Sequence, residues 1–305
     1  MKCRICLGKS KIFRKKIRNN IRRNVYRCTV CNLEFLDDIR EDLKLWYTEA
    51  YRDDHTSILG DIRSNEAKTF FELNKPLQHR RLIHYKKYLK KNHHVLDIGC
   101  STGHWLHSIK PYVKKVYGLE LNKDHASFVS NKLKINCFND EIKNYDVKNK
   151  FDVITSFQVF EHIPNPLEFL QHVKERLKKN GKLIIEVPNL DDPILHYDNN
   201  HNYRNFYYKR PHEFYYNKKT LLKVMKMVGL SGKVKGIHRY NFSNLLNWHI
   251  NNDAQKSSSI AMAQYPISVK DKNFMKMISK NEENYKKYLE SNTTSESLYF
   301  VGKFN

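Results

Sequence analysis

From residue 93 onward the chain alternates short apolar runs with amphipathic ones, and that alternation leaves few folds open. The runs 93–98, 115–120, 134–138, 151–157 and 181–187 have the length and composition of strands. The intervals at about 103–111, 123–133 and 166–179 carry helical spacing. Asn165 and Pro166 give the last of these a start, Leu167, Leu170, Val173 and Leu177 an apolar face, and Asn180-Gly181 an end. Asn217 opens a further helix through Leu221, Leu222, Met225 and Val228, closed by Gly229. Late strands at about 233–240 and 297–304 bring the total to seven. A strand followed by a crossover helix pairs in parallel with the next strand, so the expected class is α/β, a doubly wound Rossmann-like sheet.

A second feature stands upstream. Cys3-x2-Cys6 and Cys28-x2-Cys31 are two knuckles separated by 21 residues. Each presents two thiolates from one tight turn, and two knuckles complete a tetrahedral four-cysteine zinc site. Such a closed site has no open position for substrate, so its role is structural or in docking. Cys100 and Cys137 lie outside this pattern and read as buried thiols.

The strand at 93–98 runs into Asp97-Ile98-Gly99-Cys100-Ser101-Thr102-Gly103 and then a helix. A glycine turn feeding a helix N-terminus allows close backbone approach to a ligand. The spacing fits neither the dinucleotide fingerprint nor a P-loop. Glu120 lies seventeen residues past Gly103, at the end of the next strand, where a carboxylate can accept both hydroxyls of a ribose.

In their order, Val95–Gly103, Gly118-Leu119-Glu120-Leu121 and Phe151–Thr155 followed by Glu161-His162-Ile163-Pro164 resemble the successive motifs of class I S-adenosylmethionine (SAM)-dependent methyltransferases. The resemblance covers roughly residues 90–305. It implies a seven-stranded methyltransferase sheet, SAM as cofactor, and a methionine site formed by Asp97, Gly99, Cys100, Ser101 and Gly103. Ser101 stands where that family has its middle glycine. The resemblance further implies Glu120 and Leu121 at the ribose, Asp140 or Glu141 at the adenine, and Phe157 and Gln158 near the methionine and the transferred methyl.

The zinc module together with Pro211-His212-Glu213-Phe214-Tyr215-Tyr216 and the segment His238-Arg239-Tyr240…Asn244–Trp248 also resembles sugar methyltransferases of polysaccharide pathways. That implies a carbohydrate acceptor: a nucleotide- or lipid-linked sugar, or a glycan. A sugar hydroxyl is a poor nucleophile while protonated, so a positioned base is expected. His212 and His162 are the candidates, with Glu213 and Glu161 as orienters or alternative bases. Tyr203, Tyr207, Tyr208, Tyr215 and Tyr216 either line a sugar pocket or pack.

The expected organisation is a zinc module over 1–40, a helical connector or lid over 41–90, and a SAM-dependent domain over 91–305 with a helical insertion at about 241–295. Leu43, Trp46 and Tyr47 carry the connector's helical spacing at its start. No stretch reaches the ~18–20 apolar residues that span a bilayer, the first residues lack the apolar run of a signal peptide, and the expected compartment is the cytoplasm. The formal charge is +23, and residues 1–40 hold twelve Lys/Arg against three Asp/Glu. A basic surface suits phosphate-bearing partners, which keeps RNA open as an acceptor, docked through Arg14, Lys15, Lys16, Arg22 and Arg23. A non-catalytic binding scaffold is the third reading. It would be signalled by lost ligand positions, yet Asp97, Gly99, Gly103 and Glu120 are all present.

Overall fold

The computed structural model describes residues 1–37, 67–146, 148, 150–197, 201–255, 261–262 and 271–305. Residues 41–66 of the expected connector, with Leu43, Trp46 and Tyr47, lie outside the described residues, as do Ser257–Ser259. The end of the connector is helical, at Ala67–Asn74 and His79–Tyr85.

Two sheets organise the rest. The large one contains β4 (His94–Ile98), β5 (Lys115–Leu119), β6 (Asn136–Phe138), β7 (Phe151–Phe157), β8 (Leu177–Pro188), β10 (Leu230–Ile237) and β11 (Ser297–Phe304), in the order β10-β11-β8-β7-β4-β5-β6. Its first five strands are parallel, and β11 inserts antiparallel between β8 and β10. Val95, Leu96, Val153, Ile154, Leu183 and Ile184 are buried within it, as a parallel sheet covered on both faces demands. Order reverses between β4 and β7, so the crevice above their C-terminal ends is the switch point at which such sheets bind ligands.

The seven strands match the sequence expectation, with one boundary displaced. The helix Pro166–Arg176 stops before Asn180-Gly181, and β8 already begins at Leu177, paired with Phe151. Sheet pairing overrides the local helix-stop signal there. The helix Lys218–Met227 carries a full capping box between Asn217 and Thr220.

The small sheet is β1 (Ser10–Lys16), β2 (Arg22–Cys28) and β3 (Glu34–Leu36), completed by β9 (Phe214–Tyr215) from nearly two hundred residues further along. Glu34 pairs with Tyr215 and Phe35 with Phe214. Cys3, Ile5, Leu33 and Phe35 share one apolar core with Phe160, Phe214, Leu221 and Leu298, which joins the N-terminal module to the main domain.

Glu186 is the one acidic residue in the apolar stretch Leu183–Val187 and is fully buried. Arg81 binds it with two N–H groups (2.7 and 3.1 Å), Tyr85 donates at 2.8 Å, Gln158 at 3.2 Å, and Arg239 stands at 3.5 Å. Burial alone would push this carboxyl up, but the guanidinium groups of Arg81 and Arg239 outweigh it and hold it down at about 2. Because the folded value lies below the unfolded one, the pair stabilises fully above about 4.5 and loses that contribution as pH falls toward 2. Glu186→Gln leaves Arg81 buried without its carboxylate, while Arg239 keeps Glu296, and should cost about 3–5 kcal/mol, or roughly 5–10 °C in melting temperature. Scanning calorimetry should show the gap to wild type narrowing between about pH 5 and pH 2.

Candidate active site

The turn after β4 adopts the conformations its glycines allow. Gly99 and Gly103 have φ of +71° and +74°, and Ser101 between them has φ of +53°. Serine at that position therefore bears the left-handed backbone that the resembling family assigns to glycine. A Cβ on Gly99 would lie 2.4 Å from Val159 Cγ2, so the loops after β4 and β7 meet only because residue 99 has no side chain.

Glu120, 8% exposed, ends β5 beside this turn. It accepts from the amides of Ser101 (2.7 Å) and Asn122 (2.9 Å), which fixes the carboxylate at the crevice. Leu121 follows it, half-buried. Asp97 is buried, accepts from Thr155 Oγ1 at 2.6 Å, and is pushed up to about 7 by burial. Cys100 is buried with its Sγ 3.7 Å from that of Cys137. Of the two residues beyond β6, Glu141 pairs with Lys143. Asp140 accepts from its neighbour's amide and from Asn144, within the turn whose Asn139 donates to the Glu120 carbonyl. The helix Ala67–Asn74 lies over this region, with Phe70 against His125 and Phe71 against Phe128.

Beyond β7, Phe157 stacks on Tyr85 at 5.0 Å beneath the Arg81 guanidinium. Gln158 has φ of +58° and donates to Glu186 and to Ser297 Oγ at 3.1 Å. These contacts place both residues at the rim of the buried ionic cluster Arg81–Glu186–Arg239–Glu296. That cluster was not anticipated. Its one sequence signal is Glu186 itself, a charge inside a buried strand.

The next turn brings Glu161 and His162 against His212. All three are buried, and the histidine rings meet edge-on at 4.7 Å. Glu161 Oε1 lies 3.6 Å from His162 Nε2 and 3.8 Å from His212 Nε2. Burial pushes Glu161 up to about 8 and His162 down to about 3, so the ring of His162 is neutral. Glu213 departs from expectation. Its carboxylate turns away from His212 to Arg4 (2.5 Å) and Arg23 (3.5 Å), where it ties the N-terminal module down, because side chains alternate along the extended segment into β9. The five tyrosines pack: Tyr203 donates to Asp192, Tyr208 to Glu34, and all are buried.

At the N-terminus the four cysteine sulfurs lie within 4.8 Å of one another, with Cys3–Cys31 at 3.8 Å and Cys6–Cys28 at 3.5 Å. Sulfurs bonded at about 2.3 Å to one tetrahedral zinc stand about 3.8 Å apart, so the donor set fits that ion. The knuckles are alike: Leu7 and Asn32 both have φ of +60°, and the amides of Cys6 and Cys31 approach the sulfurs of Cys3 and Cys28. Burial would raise the Cys28 thiol, but the amides of Cys31 and Val30 outweigh it and hold it at about 6.

Sheet order, glycine turn and the acidic residue Glu120 at the end of β5 together define a Rossmann-like domain of the SAM-dependent methyltransferase class. The chain belongs to the methyltransferase domain family, which it matches over residues 71–232, more than half its length. Among curated proteins it is 28% identical over 106 residues to a ubiquinone biosynthesis O-methyltransferase of Coxiella burnetii, covering 32% of this chain and 45% of that one. It is 36% identical over 109 residues to the enzyme of the same description from Glaesserella parasuis, covering 31% and 45%. The chain thus spans about half the length of the curated relatives it matches. A crystal structure of a SAM dependent methyltransferase from Archaeoglobus fulgidus superposes with a TM-score of 0.50 at 19% identity, over 84% of this chain and 100% of that one, which supports the fold. No helix among the described residues is long and apolar enough to cross a membrane.

Proposed function

We propose that the protein transfers a methyl group from SAM to a hydroxyl of a carbohydrate acceptor. The observation that carries the reading is one crevice edge bearing both Glu120 beside the glycine turn and, past β7, the buried Glu161–His162–His212 cluster. When bound, SAM supplies a methyl group on a sulfonium, already an excellent electrophile. Glu120 would hold the ribose hydroxyls, Asp140 the adenine side, and the backbone of Gly99–Gly103 the methionine. The acceptor hydroxyl would face the cluster, which relieves it of its proton. The relatives' description as O-methyltransferases supports oxygen as the acceptor atom. A shallow pocket of about 190 Å³ lined by Arg18, Asn19, Asn202, Asn205, Phe206 and Trp248 offers the amide and aromatic surface that sugars bind.

RNA docking draws less support. Arg23 is buried against Asp37 and Glu213, and Arg14 binds Asn205 and stacks on Tyr208, so two of the five basic residues serve the fold. A scaffold without chemistry would not need a buried carboxylate–histidine cluster.

Glu120→Ala should weaken SAM binding at least tenfold by calorimetry, about 1.4 kcal/mol for a lost charged hydrogen bond; unchanged affinity would remove Glu120 from the site. Elemental analysis after dialysis should find one zinc per chain on Cys3, Cys6, Cys28 and Cys31, lost with unfolding of the module in Cys28→Ser. His212→Ala should lower turnover ~10²–10⁴-fold with SAM affinity intact. A salt-sensitive RNA complex with an indifferent His212→Ala variant would overturn the carbohydrate reading.

A further inference from the structure

The cluster past β7 holds a feature that proton transfer alone does not explain. Glu161 is 1% exposed, and no hydrogen-bond donor reaches either of its carboxylate oxygens among the described residues. A buried carboxyl left that way costs free energy that folding does not spend without a return. Two imidazole nitrogens stand at 3.6 and 3.8 Å, too far to hydrogen-bond. The three atoms lie on a triangle with no edge above 4.8 Å. Ligands at about 2.1 Å from one cation stand roughly 3.0–3.5 Å apart, so the two edges from Glu161 to the imidazoles, at 3.6 and 3.8 Å, would close with a contraction of a few tenths of an ångström.

The surroundings fit the same occupant. His162 Nδ1 lies 2.8 Å from the Pro211 carbonyl. An Nδ1–H···O=C bond to the backbone is the outer support typical of a metal-bound histidine, and it turns the Nε2 lone pair toward Glu161. Pro211 directly precedes His212, so one short segment both orients the first histidine and supplies the second. Glu161 and His162 sit on one turn, Phe160–His162, at the end of β7. Two imidazoles and a carboxylate leave further coordination positions open, unlike the closed four-cysteine set.

We propose that Glu161, His162 and His212 bind a divalent first-row transition-metal cation. The site stands on geometry; the role given to its ion rests on the acceptor reading above. A hydroxyl on an open position would have its pKa lowered and release its proton to water, leaving the oxygen as nucleophile. His212 would then act by holding the ion beside the Glu161 carboxylate.

The probe is Mn²⁺, whose preference for nitrogen and oxygen ligands excludes it from four thiolates. The protein with its four-cysteine site zinc-loaded, freed of cofactor, is titrated with Mn²⁺ while electron paramagnetic resonance reports the free ion. We expect about one Mn²⁺ per chain at micromolar affinity, weakened at least tenfold in Glu161→Gln and in His212→Asn. Failure of the wild type to bind Mn²⁺, or binding indifferent to both variants, overturns the proposal whether or not the variants fold. The titration contains no cofactor or acceptor, so a negative result leaves the methyl-transfer reading standing. Loss of that reading would instead show as failure of the wild type to bind SAM.

Discussion

The structure is closed around one buried negative charge. Glu186 sits at the C-terminal end of β8, inside the sheet, and cannot remain there without cations. Arg81 comes from the helix before the first sheet strand, and Arg239 from the segment after the last helix-linked one. Satisfying this carboxylate therefore draws the beginning and end of the domain over the same edge of the sheet. Arg80, beside Arg81, extends the closure by binding Glu283 and Glu290 of the helix Lys272–Asn292. Gln158 joins through its amide, so the loop after β7, which leads directly into Glu161 and His162, is held by the same charge. The ion cluster is the frame against which both the cofactor side and the acceptor side are positioned.

What was legible in the sequence follows from range. The glycine turn, Glu120 and the two cysteine knuckles are local patterns, in which the backbone conformation or the ligand is dictated by residues a few positions apart. Those features were readable. Arg81–Glu186 and Arg4–Glu213 join residues more than one hundred apart, and nothing in either neighbourhood names the partner. Glu213 was misread for this reason: adjacency to His212 suggested a shared site, while the extended backbone sends neighbouring side chains to opposite sides. The end of the helix at Arg176 was misread for a related one. Asn180-Gly181 is a sound local stop, but the register that pairs Leu177 with Phe151 ends the helix first.

The N-terminal module illustrates how a small unit gains stability it lacks alone. A few short strands bury too little apolar surface to fold unaided. Here the four cysteines organise one end and β9 extends the other, with Arg4 and Arg23 sharing Glu213 across the junction. The segment that donates β9 also carries His212. Order in the module is therefore coupled through β9 to the buried His212 that precedes it by two residues.

That coupling separates two kinds of donor in one chain. The four cysteine sulfurs are soft donors, numerous enough to close a tetrahedral site. The carboxylate and two imidazoles are harder donors and number three rather than four. Their surroundings differ: the amides of Cys31 and Val30 point at the Cys28 sulfur and hold that thiol's pKa down, whereas burial pushes the Glu161 carboxyl up. A protein that used both clusters for structure would have closed the second one. Leaving a buried carboxylate short of partners is tolerated where chemistry supplies the missing charge, and the turn after β7 is where the fold presents that opportunity.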